Sequence, residues 1–450
     1  MSTVGFARIL ARVASCAIIG LAGLRAMAVP PAGLTYDEAR AALGQASEAR
    51  KAGEHEASRR ENESSAARTL GYPELSVGAE EVWGIKTATL ASPLGPIDIN
   101  ENLQGPRAAV TATWSLYNGG RVRAQQRSLA AAVDESHAQL ENIDQRLDLE
   151  LAQVYFGVSL AGNVERTRRS VLEQADRQLD RAKRFESRGV IPAVERLNAQ
   201  VARDEAAREH VRAQRDLEIA AMRLQRLLVS EQPVGVTTPL FVVSSDVGSL
   251  AHWLGLAEKD SPILRAFAAR KSQAEQGIVA AEARWKPEVY AYGTYNMIRH
   301  YQTLIEPNWK AGLGVSFTLF AGADRAKQVA AAREALRGVE SQDGETRNRI
   351  LTAVEAAFRK VLQAREQFAL LESSLAATRE NLRLRERGFD EGQATSLDIN
   401  DARNALARAE TARSLAAYQF VVALSELLEA SGQKEALSQF IHKADVVLSQ

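Results

Sequence analysis

The chain has 450 residues, enough for two or three ordinary domains, and 46% of them are hydrophobic, ample for a core. Aromatic residues are scarce at 6% while alanine, leucine, arginine and glutamate dominate, a balance that favours long helices and coiled coils over a compact, sheet-rich enzyme. Basic and acidic residues are equal at 56 each, so no polyanion-binding bias exists and no nucleic-acid partner is expected.

Residues 1–28 read as a secretory signal peptide. Arg8 and Arg12 form the basic start, residues 13–24 the apolar stretch, and Ala26-Met27-Ala28 the small-residue cleavage site. That stretch is too short to span a bilayer, and no other run reaches the ~20 apolar residues a spanning helix needs. Cleavage removes three arginines, leaving 53 basic against 56 acidic residues, a net charge of −3. The only cysteine, Cys16, lies inside the signal. Val13-Ala14-Ser15-Cys16 resembles a lipoprotein box, but Arg12 precedes it and the apolar run follows it, the order of an ordinary signal. The mature chain then has no thiol chemistry and no disulfide.

Residues 35–70 form a helical segment with Thr35 as N-cap and Asp37 and Glu38 in the first turn, stopped at Gly71-Tyr72-Pro73. A strand pair follows, then a proline-free helical run over 120–188, a turn at Gly189 and a return helix over 193–228. Residues 231–260 break the helical pattern. The same order then returns: a helix over 261–285, Pro287, two strands, a proline-free run over 323–386, Gly392, and a return helix over 396–430.

The repetition is metric. Trp114-Ser115-Leu116-Tyr117-Asn118-Gly119 reappears as Phe317-Thr318-Leu319-Phe320-Ala321-Gly322, an offset of 203 (322 − 119). Tyr155 with Phe358, Gly189 with Gly392 and Ala199 with Ala402 keep that offset, which implies two copies of one unit. The two strand-opening prolines, Pro73 and Pro287, are 214 apart (287 − 73), so the first copy carries 11 extra residues before its glycine (214 − 203). The stretch 91–106, with Pro93, Gly95, Pro96 and Gly105, reads as the loop that holds them.

The strands alternate with period two. Ala108, Val110, Ala112, Trp114 and Leu116 oppose Thr111, Thr113, Ser115 and Tyr117. Ala311, Leu313, Val315, Phe317 and Leu319 oppose Gly312, Gly314, Ser316 and Thr318, and Val289, Ala291 and Tyr295 oppose Tyr290 and Tyr292. About ten such residues suit a tilted membrane strand, and equally a half-buried soluble hairpin. The helices point to the membrane: some 65 residues each would reach ~100 Å, with coiled-coil seams at Leu147, Leu151, Val154, Val158 and Leu172, Ala175, Leu179, Ala182. In the second copy the seams are Val354, Phe358, Val361 and Phe368, Leu371, Leu375. Four membrane strands cannot close a barrel, whose smallest stable form has about eight, and open edges in lipid leave backbone groups unmet. If the strands sit in a membrane, several chains must therefore pool them.

Taken together, the chain resembles the outer membrane efflux protein family, the TolC-like outer membrane factors of Gram-negative bacteria. The resemblance rests on the strand-to-helix junctions at Gly119 and Gly322, the strand starts Pro73-Glu74-Leu75 and Pro287-Glu288-Val289, and the helix turns at Gly189 and Gly392. It implies a mainly α fold with membrane β: long antiparallel coiled-coil hairpins forming a periplasmic α-barrel, and four strands per chain in a homotrimeric, twelve-stranded β-barrel. The division becomes signal peptide 1–28, first repeat 29–230, linker or equatorial segment 231–260, second repeat 261–431 and tail 432–450. It further implies an outer-membrane channel-tunnel with its helical part in the periplasm, a passive duct of a tripartite efflux or type I secretion system. The partners would be outer-membrane lipid, a periplasmic adaptor and an inner-membrane transporter, proton-driven or ATP-driven.

Asp398 and Asp401, just after the Gly392 turn, are three residues apart and share a helix face. On an anonymous helix they would be first-turn carboxylates favoured by the dipole. The resemblance makes them a gate, six carboxylates around the periplasmic aperture of a trimer. Glu195 holds the position of Asp398 in the first copy (398 − 195 = 203). Gly189, Gly392, Arg188 and Glu391 form the helix-tip turns expected to meet the adaptor. Arg188 and Arg196 are placed to pair with acidic residues of neighbouring helices. A tyrosine and an arginine that latch the closed entrance in the family fall at Phe389 and Ala394, which lack the hydroxyl and the donor.

Other candidates are weaker. His55, His137, His210, His252, His300 and His442 show no metal-ligand spacing. Asn118-Gly119-Gly120 reads as a strand-to-helix turn instead of a phosphate loop, and Asn62-Glu63-Ser64 is a glycosylation triplet of the kind chance supplies. Tyr290, Tyr292, Tyr295, Tyr301 and Trp309 suggest an aromatic belt. No nucleophile, base and oxyanion set exists, so no catalysis, cofactor or metal is expected. The rival readings are a periplasmic adaptor, which should carry one hairpin between β-rich halves, and a secreted coiled-coil fibre or adhesin, which needs no paired strands.

Overall fold

In the computed structural model, the structure describes residues 33–299, 307–320, 322–433 and 436–448. The signal peptide with Cys16, together with His300 and Tyr301, lies outside the described residues. The chain runs α1 (Tyr36–Ala46), α2 (Glu48–Ala67), β1 (Glu74–Ser92), β2 (Gly95–Tyr117), α3 (Arg121–Ser187) and α4 (Ala193–Leu227). It continues with β3 (Phe241–Val242), α5 (Leu250–Asp260), α6 (Pro262–Ala283), β4 (Glu288–Arg299) and β5 (Trp309–Ser316). The last part is α7 (Arg325–Asp390), α8 (Ser396–Ala430), α9 (Ala436–Lys443) and β6 (Val446–Val447). Among the described residues no helix is long and apolar enough to cross a membrane.

The two great helices have 67 and 66 residues and each return helix has 35. A return helix therefore covers about half of its partner. The other half of α3 packs on α2 and α6, and that of α7 on α5 and α6. The main core gathers where these covers meet. Tyr36 stacks on Phe156 at 5.5 Å, Phe156 meets Phe241 edge-on at 5.9 Å, and Phe241 meets Phe420 at 6.3 Å. Leu151, Leu224, Val354, Val361, Leu424 and Leu427 close around them. The tail is locked into the same belt: β6 pairs antiparallel with β3, and the Leu448 amide donates to the Leu240 carbonyl at 2.9 Å.

Four segments differ from the sequence reading. The helix expected over 35–70 breaks at Ser47, whose side chain accepts from the Arg50 amide and starts α2. The segment 231–260 contains a helix, α5, capped by Ser249. Thr35 and Ser249 are N-caps 214 apart (249 − 35), and Ser47 and Ser261 break the helices at φ −64°, ψ 116° and φ −60°, ψ 119°, again 214 apart (261 − 47). The duplication thus reaches back to Ser249. The stretch 91–106 is mostly strand: β1 and β2 pair from Glu74↔Thr113 to Ser92↔Gly95 around the two-residue turn Pro93-Leu94. The 11 extra residues (214 − 203) lengthen the hairpin, and cross-strand bonds Thr87–Asn100 at 2.8 Å and Thr89–Asp98 at 2.6 Å hold its outer part. The second hairpin ends early as well, with β5 stopping at Ser316 and residues 317–320 outside the sheet.

The four long strands form one antiparallel sheet in the order β1-β2-β4-β5. Opposed residues share a face, so the register sorts the side chains. One face reads Leu75 and Val77, then Ala112, Val110 and Trp114, then Ala291 and Tyr295, then Leu313 and Trp309. The other reads Glu74 and Ser76, Thr113, Thr111 and Ser115, Tyr292, Thr294 and Tyr290, and Gly312, Lys310 and Gly314. Of the proposed aromatic belt, Tyr295 and Trp309 lie on the apolar face while Tyr290 and Tyr292 lie on the polar one. The apolar face is bare: Val77 is 68% exposed and Leu313 75%.

Both return helices end in the same motif. Val229 and Gly432, 203 apart (432 − 229), sit in left-handed conformation at φ 52° and 77°. In each copy the next amide reaches back five residues, Ser230 to the Gln225 carbonyl at 3.0 Å and Gln433 to Leu428 at 2.8 Å. A β-branched residue is strained there. Replacing Val229, which is 65% exposed, by glycine should stabilise the protein by about 0.5–1 kcal/mol, the relieved strain less glycine's entropy. Gly432→Ala should destabilise, because its Cβ would lie 2.7 Å from the Asp260 carbonyl oxygen. Thermal unfolding of the two variants checks both signs.

Candidate functional site

The long helices turn at the far end from the sheet. Both turns are Schellman motifs with glycine at the left-handed position, Gly189 at φ 72° and Gly392 at φ 73°. Gly189 N–H donates to Glu186 and Val190 N–H to Phe185, each at 2.9 Å. Gly392 N–H donates to Phe389 at 3.0 Å and Gln393 N–H to Gly388 at 2.7 Å, the same bonds 203 residues on. Arg188 and Glu391 are the corresponding helix caps, both exposed. Glu391 accepts from Arg387 at 3.2 Å.

The starts of the return helices differ. The first copy has Pro192 at the N-cap of α4, without a side-chain cap. The second has Thr395, whose hydroxyl accepts from the Asp398 amide at 3.2 Å while the Asp398 carboxylate accepts from the Thr395 amide at 2.9 Å and its hydroxyl at 2.7 Å. This reciprocal box satisfies donors that a helix start otherwise leaves open. Arg385 of α7 adds a bond at 3.2 Å to the other carboxylate oxygen. Asp398 is therefore engaged within its own hairpin, with its side chain still 36% exposed. The Thr395 amide and hydroxyl, and then Arg385, hold its pKa below the ordinary carboxylate value. Asp401 is exposed one turn further along α8.

Glu195, at the position aligned with Asp398, makes a different contact. Its carboxylate accepts from the Ser396 amide of the other hairpin at 3.0 Å. It thus ties the tip of α4 to the first turn of α8. Around it, Phe185 stacks on Phe389 with centroids 6.3 Å apart at 14°, and Arg181 donates to Asp390 at 2.6 Å. Phe389, Leu382, Ile399 and Ala402 form a small core that Phe185 and Ala394 cover. Arg403 of α8, 5% exposed, donates through Nε to Gln174 of α3 at 3.0 Å and lies 3.6 Å from Glu386. Its Nη1 is buried without a partner. Of the two arginines expected to pair with acidic residues of neighbouring helices, Arg196 of α4 pairs with Glu186 of α3 at 2.7 Å.

At the other end, the strand-to-helix junctions Gly119 and Gly322 share φ 69°. Gly119 is also pressed against α6, where a Cβ would meet the Ala283 carbonyl oxygen at 2.7 Å. Lys286 donates to the Gly119 carbonyl at 3.3 Å, and Arg121 binds Glu288 of the neighbouring strand at 3.0 Å. Of the histidines, His210 is held by the buried Glu165 at 2.9 Å, a structural role. Among the described residues no group of three or more His, Cys, Asp or Glu side chains is arranged to hold a metal ion.

The tip residues missed from sequence are Phe185, Arg181, Asp390, Arg385 and Arg403. Phe185 aligns with Gly388 in the second copy (388 − 185 = 203), so copy alignment could not pair it with Phe389. Thr395 was legible, since threonine three residues before an acidic residue is a capping signature.

The comparisons with known proteins agree with this geometry. The family model described as outer membrane efflux protein matches residues 39–229 and 253–433. No curated protein matches the chain. Among solved structures, the CmeC outer membrane channel of Campylobacter jejuni is 14% identical with a TM-score of 0.73, covering 91% of this chain and 88% of that one. VceC of Vibrio cholerae is 14% identical with a TM-score of 0.73, covering 88% and 96%. The open state of the MtrE outer membrane channel of Neisseria gonorrhoeae is 18% identical with a TM-score of 0.70, covering 88% and 89%. These likenesses are to the fold. With the family match spanning both copies, the chain belongs to the outer membrane efflux protein family.

Proposed function

We propose that three copies of this chain close their sheets into one twelve-stranded barrel in the outer membrane and continue it as a helical tunnel into the periplasm. The observation that carries this reading is the register-sorted sheet: one bare apolar face, one polar face, and two unpaired edges at β1 and β5. In lipid the apolar face is satisfied, but each open edge leaves backbone groups unmet at several kcal/mol apiece. Pairing β5 of one chain with β1 of the next removes every edge, and the polar faces then line a water-filled bore. The outer part of the β1–β2 hairpin, longer than a bilayer requires, projects on the extracellular side. The assembly is a passive duct of a tripartite efflux or type I secretion system, docked by a periplasmic adaptor at the Gly189 and Gly392 turns and energised by an inner-membrane transporter.

Opening acts on the contacts between the two hairpins of each chain. The Phe185–Phe389 stack, the Arg181–Asp390 pair and the Glu195–Ser396 bond replace the tyrosine- and arginine-based latch of the family. The buried, unpartnered Arg403 Nη1 opposes them, since such a donor costs about 1–3 kcal/mol, and so the closed tip is poised for separation. Asp401 is the carboxylate left to face the aperture, and Asp398 chiefly secures α8.

Membrane fractionation, native electrophoresis and planar bilayers test the assembly. A trimer in the outer-membrane fraction that forms pores is expected, whereas a freely soluble monomer would overturn the reading. For the latch, Phe185→Ala combined with Glu195→Gln should raise single-channel conductance or open probability severalfold, and unchanged gating would remove these residues from the mechanism.

The two aspartates separate in a paired experiment. Asp401→Asn should weaken block by divalent cations and leave amide protection in the first turn of α8 unchanged. Asp398→Asn should do the reverse. Because the folded-state pKa of Asp398 is lowered, its stabilisation is present above the ordinary carboxylate value of about 4 and is lost as pH falls through the lowered value. Hydrogen exchange in the first turn of α8 should show protection falling below about pH 4 in the native protein, a fall that Asp398→Asn removes.

A further inference from the structure

We propose that the polar face of the sheet carries a stacking platform for planar aromatic solutes, formed by Tyr290 and Tyr292 of β4 lying over Gly314 and Gly312 of β5. The inference rests on the channel reading, which makes this face the wall of the bore. The pairing is set by register: Tyr290 opposes Gly314 and Tyr292 opposes Gly312. A Cβ on Gly314 would lie 2.4 Å from Tyr290 Cζ, and one on Gly312 would lie 3.0 Å from the Tyr292 hydroxyl. The space where each glycine lacks a side chain is the space a ring occupies. Both phenols are therefore folded down across the neighbouring strand and do not stand out into the bore.

This arrangement does two things. It keeps the passage wide at a level where a pair of upright aromatic side chains per chain would narrow it. It also turns one face of each ring to the wall and leaves the other open, with Tyr292 still 38% exposed. The two rings lie 6.1 Å apart at an angle of 43°, adjacent surfaces on which a flat solute can stack in offset geometry. The open faces also attract cations through the ring quadrupole. On the same face Glu80 pairs with Arg107 and Glu288 with Arg121, and the cross-strand row Glu74↔Thr113↔Tyr292↔Gly312 places a carboxylate in line with a ring. The solute class is thus a planar aromatic one, favoured when cationic. A mere cover for glycine would need apolar bulk only, which leucine also supplies.

The test uses the full-length protein in planar bilayers, with N-methylacridinium as aromatic blocker and tetrabutylammonium as an aliphatic blocker of equal charge. Tyr290→Leu with Tyr292→Leu should weaken acridinium block about three- to tenfold and leave tetrabutylammonium block unchanged. Equal losses for both cations, or no loss for either, would overturn the platform. Gly314→Ala gives a second measurement. It should push the Tyr290 ring into the bore and lower conductance, and adding Tyr290→Ala should restore it; an unchanged conductance in Gly314→Ala overturns the ring placement. Native protein that inserts but forms no pores would overturn the channel reading itself. Native protein that conducts with tyrosine-independent block overturns the platform alone.

Discussion

Everything at the two ends of this molecule depends on the packed belt at its middle. Alanine dominates the seam between α3 and α4 (Ala175, Ala182, Ala199, Ala206 and Ala213), which buries little area per turn and specifies register weakly. At the belt, by contrast, Tyr36, Tyr155, Phe156, Phe241 and Phe420 interlock in one aromatic cluster. Tyr155 adds direction, donating to the Leu34 carbonyl at 2.6 Å and accepting from the Thr237 and Thr238 amides at 3.2 and 2.9 Å. This cluster sets how α3 lies against α8 and against the segments that enter and leave the copies. A shift of one residue there would travel the length of a rigid helix and misplace both the tip contacts and the strand junction.

The duplication explains why those ends can be so alike while acting differently. Where the copies do the same job, their backbones agree to within a few degrees, as at Gly119 and Gly322 or Gly189 and Gly392. Where the copies touch each other, they diverge. Glu195 and Asp398 occupy equivalent positions, yet one reaches across to the other hairpin and the other closes its own cap. Away from those contacts too the copies differ: Tyr155 has a hydroxyl, bonded to Leu34, Thr237 and Thr238, that Phe358 lacks.

Long-range order was legible in the sequence because helices and turns announce themselves locally. Proline-free runs ending at glycine placed α3, α4, α7 and α8 to within a few residues, and the seams at Leu151, Val158, Val354 and Val361 are buried. The break at Ser47 was hidden, since a serine inside a polar helical pattern carries no glycine or proline signal. The stretch 91–106 misled for the opposite reason. Its glycines and prolines read as a loop, but Pro93 and Gly95 are consumed by one tight turn and the rest extends a hairpin on which Thr87 and Thr89 find partners. Contacts between hairpins stayed invisible because they join residues of unrelated position in the two copies, Phe185 with Phe389 and Arg181 with Asp390, and no local pattern encodes such pairs.

In the proposed trimer the hairpins form a ring in which two kinds of neighbour alternate, one within a chain and one between chains. Identical copies would make a ring of six equal contacts, with no reason to open at one set before the other. Divergence removes that equality. The contact within a chain carries an aromatic stack, an ion pair and a carboxylate on a helix start, together with a buried guanidinium lacking one partner. Attraction and a built-in fault sit at the same seam, so a partner that binds the tips needs to supply only the difference between them. At the other end no such compromise exists, because an unpaired strand edge in lipid has no tolerable alternative. In the proposed trimer that contrast would give a tube with a fixed collar and an adjustable mouth, its barrel end closed by backbone hydrogen bonds and its tip held by side-chain contacts of opposing sign.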